Sequence, residues 1–131
     1  MRKLDHVAFY CSNLSKSLDF YTNILGLKLK FRKIDQEHGE EFAFLELNGG
    51  DLELLTLLDD NTYEKEPKTT IKANCPHIAL SVENLDESIE NLAEKGIKIL
   101  KGPLEITGEV KWLYIKDPDL NIIELVEWIN D

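Results

Sequence analysis

An internal repeat constrains this chain more than any other feature: its second half copies its first at an offset of 71 residues. Under this shift, identical residues recur at several positions: His6 and His77, Ala8 and Ala79, Asn13 and Asn84, Leu14 and Leu85, Ser17 and Ser88, and Glu53 and Glu124. Repeated segments fold into similar structural units. Each structural prediction for one half therefore has a counterpart in the other half.

Hydrophobic alternation and turn residues predict the same order of elements in both halves. The first half is expected to form strands at 4–11, 27–34, 41–48 and 51–58, with a helix at 14–25. The second half is expected to form strands at 75–82, 97–100, 110–116 and 122–128, with a helix that begins after Asn84 and ends at Gly96. Gly102 and Pro103 are expected to break the short strand at 97–100.

These elements predict an α+β fold of two tandem βαβββ modules that form a cupped mixed sheet. We expect residues 1–131 to be a single domain, with module one at 1–58, a linker at 59–74 and module two at 75–131. A chain of this length is sufficient for one hydrophobic core.

The charge balance restricts the classes of partner. The formal net charge of −10 argues against nucleic acid or an anionic membrane surface as a partner. No apolar run has the length of a signal peptide or a spanning helix, so we expect a cytoplasmic location. Cys11 and Cys75 are too few for a disulfide framework and are predicted to be buried free thiols.

Two glutamates stand among apolar residues of predicted strands. Alternation places Glu53 and Glu124 on the sheet face opposite their leucine and isoleucine neighbours. A buried carboxylate needs a partner, and a divalent cation would be one. His6 and His77, on the same predicted faces, could supply neutral nitrogen ligands. Such a set suits Ni²⁺, Co²⁺, Zn²⁺, Mn²⁺ or Fe²⁺ rather than Ca²⁺ or Cu⁺.

The ordinary interpretation of one such histidine or glutamate is a core or solvated residue. Four of them in register across a duplication favour a metal site instead. Five strand aromatics could line a pocket, although strand aromatics are more often core: Tyr10, Phe42, Phe44, Trp112 and Tyr114. Of these, Tyr10, Trp112 and Tyr114 are the candidate substrate-binding residues. His38 has no counterpart in the repeat and is predicted to be an exposed loop residue.

The chain resembles the vicinal oxygen chelate superfamily, which includes glyoxalase I, methylmalonyl-CoA epimerase, extradiol dioxygenases and fosfomycin- and bleomycin-resistance proteins. The resemblance lies in these segments: Asp5–Ala8, Ser17–Tyr21, Leu25–Leu27, Glu53, His77–Val82, Asp117–Asp119 and Ile123–Leu125. It implies two βαβββ modules around one divalent metal, with Ni²⁺ or Co²⁺ favoured and Zn²⁺ possible. His6, Glu53, His77 and Glu124 match the ligand set of glyoxalase I-like members.

The resemblance implies a lactoylglutathione lyase-like activity, in which the hemithioacetal of a 2-oxoaldehyde such as methylglyoxal is isomerised through an enediolate. By similarity, Glu124 would be the catalytic base, and Glu53 a metal ligand and second base. Positions that bind glutathione in bacterial relatives hold Tyr10, Leu57 and Leu104 here, so the thiol cosubstrate stays open between glutathione and another thiol.

Other activities of the superfamily remain as alternatives. They are a metal-containing small-molecule binding or resistance protein, a methylmalonyl-CoA epimerase-like enzyme and a ring-cleaving dioxygenase. Epimerases usually carry Gln at the position of Glu53, and dioxygenases usually lack this ligand.

The expected partners are a small-molecule substrate and a second copy of the chain. The metal site would lie within one chain or be shared across a homodimer, where His6 and Glu53 would face His77 and Glu124 of the other chain.

Overall fold

The computed structural model describes residues 1–59 and 75–129 of the 131-residue chain. The chain divides into two compact units, Met1–Lys65 and Glu66–Asp131. Apart from Asp59, the predicted linker at 59–74 lies outside the described residues.

The first unit is a four-stranded mixed sheet with one helical region. Its elements are β1 (His6–Tyr10), α1 (Leu14–Asp19), a π-helical segment (Phe20–Ile24), β2 (Lys28–Asp35), β3 (Glu40–Glu46) and β4 (Asp51–Leu57). The strand order is β1-β4-β3-β2, with β1 and β4 parallel and the other pairs antiparallel. The helical region makes the crossover that a parallel pair needs.

The second unit repeats this topology. Its elements are β5 (Ile78–Ser81), α2 (Leu85–Glu94), β6 (Lys101–Ile106), β7 (Val110–Lys116) and β8 (Ile122–Trp128). The strand order is β5-β8-β7-β6, again with one parallel pair, β5 and β8. Two βαβββ modules and an α+β class are therefore confirmed.

The repeated asparagines begin the two helices in the same way. The Asn13 side-chain oxygen accepts a hydrogen bond from the Lys16 backbone N–H at 3.0 Å, and that of Asn84 accepts from the Glu87 backbone N–H at 3.0 Å. Each bond satisfies a backbone donor that has no partner within its helix. The caps explain why the pattern predicted both helix starts correctly.

The first helix has the predicted extent but a different winding. Beyond Asp19 the backbone widens, and the Leu25 N–H donates to the Phe20 carbonyl at 3.1 Å, the five-residue spacing of a π-helix. Phe20 and Tyr21 are buried on this wider turn. The hydrophobic periodicity of the sequence predicted the helix but did not predict its π-helical winding.

The prediction of a strand at 97–100, broken by Gly102 and Pro103, is wrong. The strand is β6, and it passes through both residues. Proline lacks an N–H, but β6 is an edge strand and its register shifts between Lys101 and Leu104, so no ladder hydrogen bond needs Pro103 as donor. The Gly102–Pro103 peptide bond is cis, and Gly102 has φ +106°, a value that favours glycine.

Each helix packs against the strand that carries the predicted glutamate, α1 on β4 and α2 on β8. Leu52 and Leu54 face α1 and are fully buried, and Ile123 and Leu125 are buried in the second unit. Since side chains alternate along a strand, the glutamates between them point to the opposite face of each sheet.

Cys11 and Cys75 are buried thiols that take no part in a disulfide, as predicted. Among residues 1–59 and 75–129, no helix has the length and hydrophobicity needed to cross a membrane.

Candidate metal centre

In the first unit, parallel pairing brings His6 and Glu53 together. His6 is the first residue of β1, and Glu53 lies on β4 opposite Ala8. The His6 Nε2 and Glu53 Oε1 atoms are 3.3 Å apart. The Glu53 side chain is only 16% exposed, which is low for a carboxylate.

The second unit contains the equivalent pair. His77 immediately precedes β5, and Glu124 lies on β8 opposite Ala79. The His77 Nε2 and Glu124 Oε1 atoms are 2.9 Å apart, and the Glu124 side chain is 17% exposed. The duplication thus reproduces both the residue types and the local geometry.

An aromatic ring lies against each histidine. The centroids of the His6 and Phe44 rings are 5.1 Å apart, and those of His77 and Tyr114 are 5.4 Å apart, both edge-to-face. Phe44 on β3 pairs with Glu53, and Tyr114 on β7 pairs with Glu124. Each neighbouring strand therefore supplies an aromatic wall for its His/Glu pair.

The sequence placed Phe44 among the aromatic residues that could line a pocket but did not select it as a substrate-binding residue. The signal that could have identified it was strand pairing, because a residue opposite Glu53 in the ladder shares its face.

The first unit has a further carboxylate at its histidine. The His6 Nδ1 lies 2.7 Å from the Asp5 Oδ2. The hydrogen bond to Asp5 raises the pKa of His6 above its usual value, with Glu53 adding to the rise and partial burial opposing it. Asp5 was missed by sequence reasoning, although its position directly before His6 was a usable signal.

The predicted substrate-binding residues lie in different environments. Tyr10, at the end of β1, is 54% exposed. Tyr114 is buried beside Cys75 and Ile122, and Trp112 packs partly buried against that cluster. Tyr114 reaches its histidine, whereas Tyr10 presents an open aromatic surface on the His6 strand. Their roles toward a substrate stay predictions.

The sequence profile of the Glyoxalase/Bleomycin resistance protein/Dioxygenase superfamily matches residues 3–125. The chain belongs to this superfamily. This match confirms the predicted resemblance. The two βαβββ modules of the structure are the modules that the resemblance implied.

Several relatives match nearly the whole chain. The uncharacterized protein YwkD of Bacillus subtilis is 32% identical over 131 residues, which cover 97% of this chain and 98% of that protein. The lactoylglutathione lyase of Salmonella typhimurium is 31% identical over 128 residues, 95% of this chain and 92% of that enzyme. The metallothiol transferase FosB of Lysinibacillus sphaericus is 28% identical over 121 residues, 91% of this chain and 77% of that protein.

Solved structures agree on the fold. A trypanothione-dependent glyoxalase I of Leishmania major superposes with a TM-score of 0.77 at 24% identity, covering 97% of this chain and 87% of that chain. At this identity the likeness shows the fold alone.

The donor chemistry of this superfamily chain fits a transition-metal cation. Each unit offers an imidazole nitrogen beside a half-buried carboxylate, and these atoms suit Ni²⁺, Co²⁺ or Zn²⁺. Among the described residues of each unit, no group of three His, Cys, Asp or Glu side chains could hold a metal ion. Because catalytic metal sites commonly use three or more protein ligands, one pair by itself falls short. The four-ligand set therefore stays a prediction that requires both modules.

Proposed function

We propose that this protein is a metal-dependent lyase of the glyoxalase I type, which isomerises the hemithioacetal formed by a 2-oxoaldehyde and a thiol. In this proposal His6, Glu53, His77 and Glu124 together hold one divalent cation, with Ni²⁺ or Co²⁺ favoured. The observation that carries the proposal is the repeated contact of a histidine Nε2 with a half-buried glutamate oxygen, at 3.3 Å and 2.9 Å. The 31% identity to a lactoylglutathione lyase supports the same activity.

A bound cation would supply Lewis-acid polarisation of two adjacent substrate oxygens. The remaining chemistry is the transfer of a proton between neighbouring carbons, together with a shift of the hydroxyl proton to the neighbouring oxygen, and it needs no oxidant or reductant. Glu124 takes the proton from the carbon that bears the hydroxyl group and returns it to the adjacent carbonyl carbon. Its position suits this role, because apolar neighbours limit water around the carboxylate and the His77 contact orients it.

Glu53 occupies the matching position of module one. It would act as a metal ligand and, by similarity, as a second base beside the substrate. Tyr10, Trp112 and Tyr114 would contact the organic part of the substrate.

Replacement of Glu124 tests the proposal directly. We expect Glu124→Gln to lower kcat for methylglyoxal with a thiol by about 10²–10⁴-fold, the usual contribution of a general base. Glu53→Gln should lower the bound metal content as well as the rate. Glu83→Gln removes an exposed carboxylate after β5 and serves as the control. Full isomerase activity in Glu124→Gln would refute the assignment.

The thiol is tested by an assay series with glutathione and other low-molecular-weight thiols on the metal-loaded protein. We expect turnover with at least one of them, accompanied by one bound Ni²⁺ or Co²⁺ per site. Because Tyr10, Leu57 and Leu104 replace polar groups at glutathione-binding positions of bacterial relatives, a thiol other than glutathione should give the higher kcat/KM.

The 28% identity to a metallothiol transferase favours a second candidate, a metal-containing resistance or small-molecule binding protein. Tight binding of an organic ligand without isomerase turnover would favour this second candidate over the lyase. The epimerase and dioxygenase alternatives would show instead as turnover of an acyl thioester or consumption of dioxygen.

A further inference from the structure

Two carboxylates face the two ring nitrogens of His6. The Nδ1 lies 2.7 Å from Asp5 Oδ2, and the Nε2 lies 3.3 Å from Glu53 Oε1. The shorter contact is the one to Asp5. Since the Asp5 side chain is 86% exposed and that of Glu53 is 16% exposed, the two nitrogens point to different environments.

A neutral imidazole carries one proton, on either nitrogen. When Nδ1–H donates to Asp5, the Nε2 keeps its lone pair on the side of the candidate metal centre. In histidine ligands of metals, the N–H of the second ring nitrogen commonly donates a hydrogen bond to a carboxylate. This bond sets both the tautomer and the ring orientation. The edge-to-face contact of Phe44, at 5.1 Å between centroids, holds the ring from a second direction.

The second module lacks this arrangement. Pro76 stands where the repeat places Asp5, and proline has no side-chain acceptor. The contact of the His77 ring is made by its Nε2, to Glu124 at 2.9 Å. The duplication therefore kept the histidines and glutamates but left only the first histidine with a preceding carboxylate.

We infer that Asp5 is a positioning residue, which fixes the Nδ1–H tautomer of His6 and so presents Nε2 as a ligand for the cation. The inference rests on the proposed function for its metal, but its first consequence is visible without metal. The asymmetry between the modules predicts that the two histidines depend differently on their preceding residue.

Nitrogen NMR of the histidine rings tests the tautomer in the metal-free, full-length protein at about pH 9, where imidazoles are neutral. We expect wild-type His6 to carry its proton on Nδ1, and Asp5→Ala to move the proton to Nε2, where the N–H can donate a hydrogen bond to Glu53. Asp5→Asn should retain the wild-type tautomer, because its amide oxygen still accepts a hydrogen bond. Glu37→Ala, which removes an exposed carboxylate from the turn after β2, is the matched control. An unchanged His6 tautomer in Asp5→Ala would overturn the inference.

Titration of the same variants with Co²⁺ tests the consequence for the metal. We expect Asp5→Ala to weaken Co²⁺ binding by about 10–100-fold, the usual effect of removing such a partner, with Asp5→Asn in between and Glu37→Ala unchanged. Equal affinity of wild type and Asp5→Ala would overturn the role of Asp5 while leaving the metal site intact. Failure of the wild type to bind Co²⁺, Ni²⁺ or Zn²⁺ would reject the proposed function and, with it, the metal role of Asp5.

Discussion

At the scale of single residues, the alternation of burial along a strand identifies the candidate site. Leu52 and Leu54 are almost completely buried, while Glu53 between them retains 16% exposure of its side chain. The same alternation surrounds Glu124. A carboxylate in this position loses hydration, so it is stable only with a partner such as an imidazole or a cation. The local pattern therefore predicted these residues before any contact was known.

His38 illustrates a contact that alternation cannot predict. It is exposed, as expected, but its ring Nδ1 lies 2.9 Å from Asp35 Oδ2, and its backbone N–H donates to Asp35 Oδ1 at 3.2 Å. These contacts close the turn between β2 and β3. The repeat contains no counterpart, so nothing in the sequence comparison singled out the pair.

We expect the Asp35 turn to produce a pH-dependent stability. The hydrogen bonds from the His38 backbone and ring lower the pKa of Asp35 in the folded protein. The ionised carboxylate therefore stabilises the fold above the unfolded pKa of about 4, and this contribution is lost as the pH falls through the lower folded pKa. Asp35→Asn should reduce the free energy of unfolding at pH 7, by an amount that shrinks toward zero in acid.

Urea denaturation of wild type and Asp35→Asn across this pH range measures the difference. Glu37→Gln, which removes a charge from the same turn, is the control. A difference between wild type and Asp35→Asn that stays constant with pH would contradict the prediction.

At the scale of elements, the two modules share their beginnings and differ in their continuations. Both helices start at a capping asparagine, but the first becomes π-helical after Asp19 whereas α2 stays α-helical to Glu94. The N-terminus of α2 receives a further acceptor, since the Leu85 backbone N–H donates to Glu127 Oε1 at 2.7 Å. Caps depend on a few adjacent residues, whereas the winding of a helix depends on its packing.

We expect Asn13→Ala and Asn84→Ala each to lower the free energy of unfolding by about 1 kcal/mol, since each leaves a helix N–H without its side-chain acceptor. Serine at either position should restore most of the loss, because its hydroxyl accepts the same hydrogen bond. Chemical denaturation of the four single variants measures this. Equal stability of the alanine and serine variants would show that the caps contribute nothing.

At the scale of the whole molecule, each unit supplies half of the proposed ligand set. Removal of the metal should therefore affect the protein as a whole. We expect treatment with a chelator to abolish isomerase activity, and added Ni²⁺ or Co²⁺ to restore it and raise Tm, because a cation that binds only the folded state stabilises it. His6→Ala should lose this thermal shift. A Tm that is insensitive to metal, together with chelator-resistant turnover, would argue against a metal enzyme.

Complementation between variants decides whether one chain or two form the proposed site. A chain carrying His6→Ala and Glu53→Ala is mixed with a chain carrying His77→Ala and Glu124→Ala under conditions that exchange subunits. If the site is shared across a homodimer, heterodimers contain one intact ligand set and activity reappears. If each chain forms its own site, the mixture stays inactive. Native mass spectrometry monitors the exchange and supplies the control.

The sequence by itself determined the duplication, the order of elements in both modules and the choice of candidate ligands. These features depend on local periodicity and on identities at a fixed offset, which are visible without coordinates. The path of β6 through Pro103 was not predictable from local signals, because an edge position and a register shift remove the need for a proline N–H.

Only the tertiary structure decided which atoms meet. It brought His6 to Glu53 and His77 to Glu124, and it placed Phe44 and Tyr114 against the two histidine rings. It also placed the Asp5 carboxylate at the Nδ1 of His6. Strand register and side-chain rotamers establish these contacts, and both depend on the packing of neighbouring strands rather than on the residues alone. The repeat predicted which residues form the His/Glu pairs, but the distances between their atoms depend on the folded sheets.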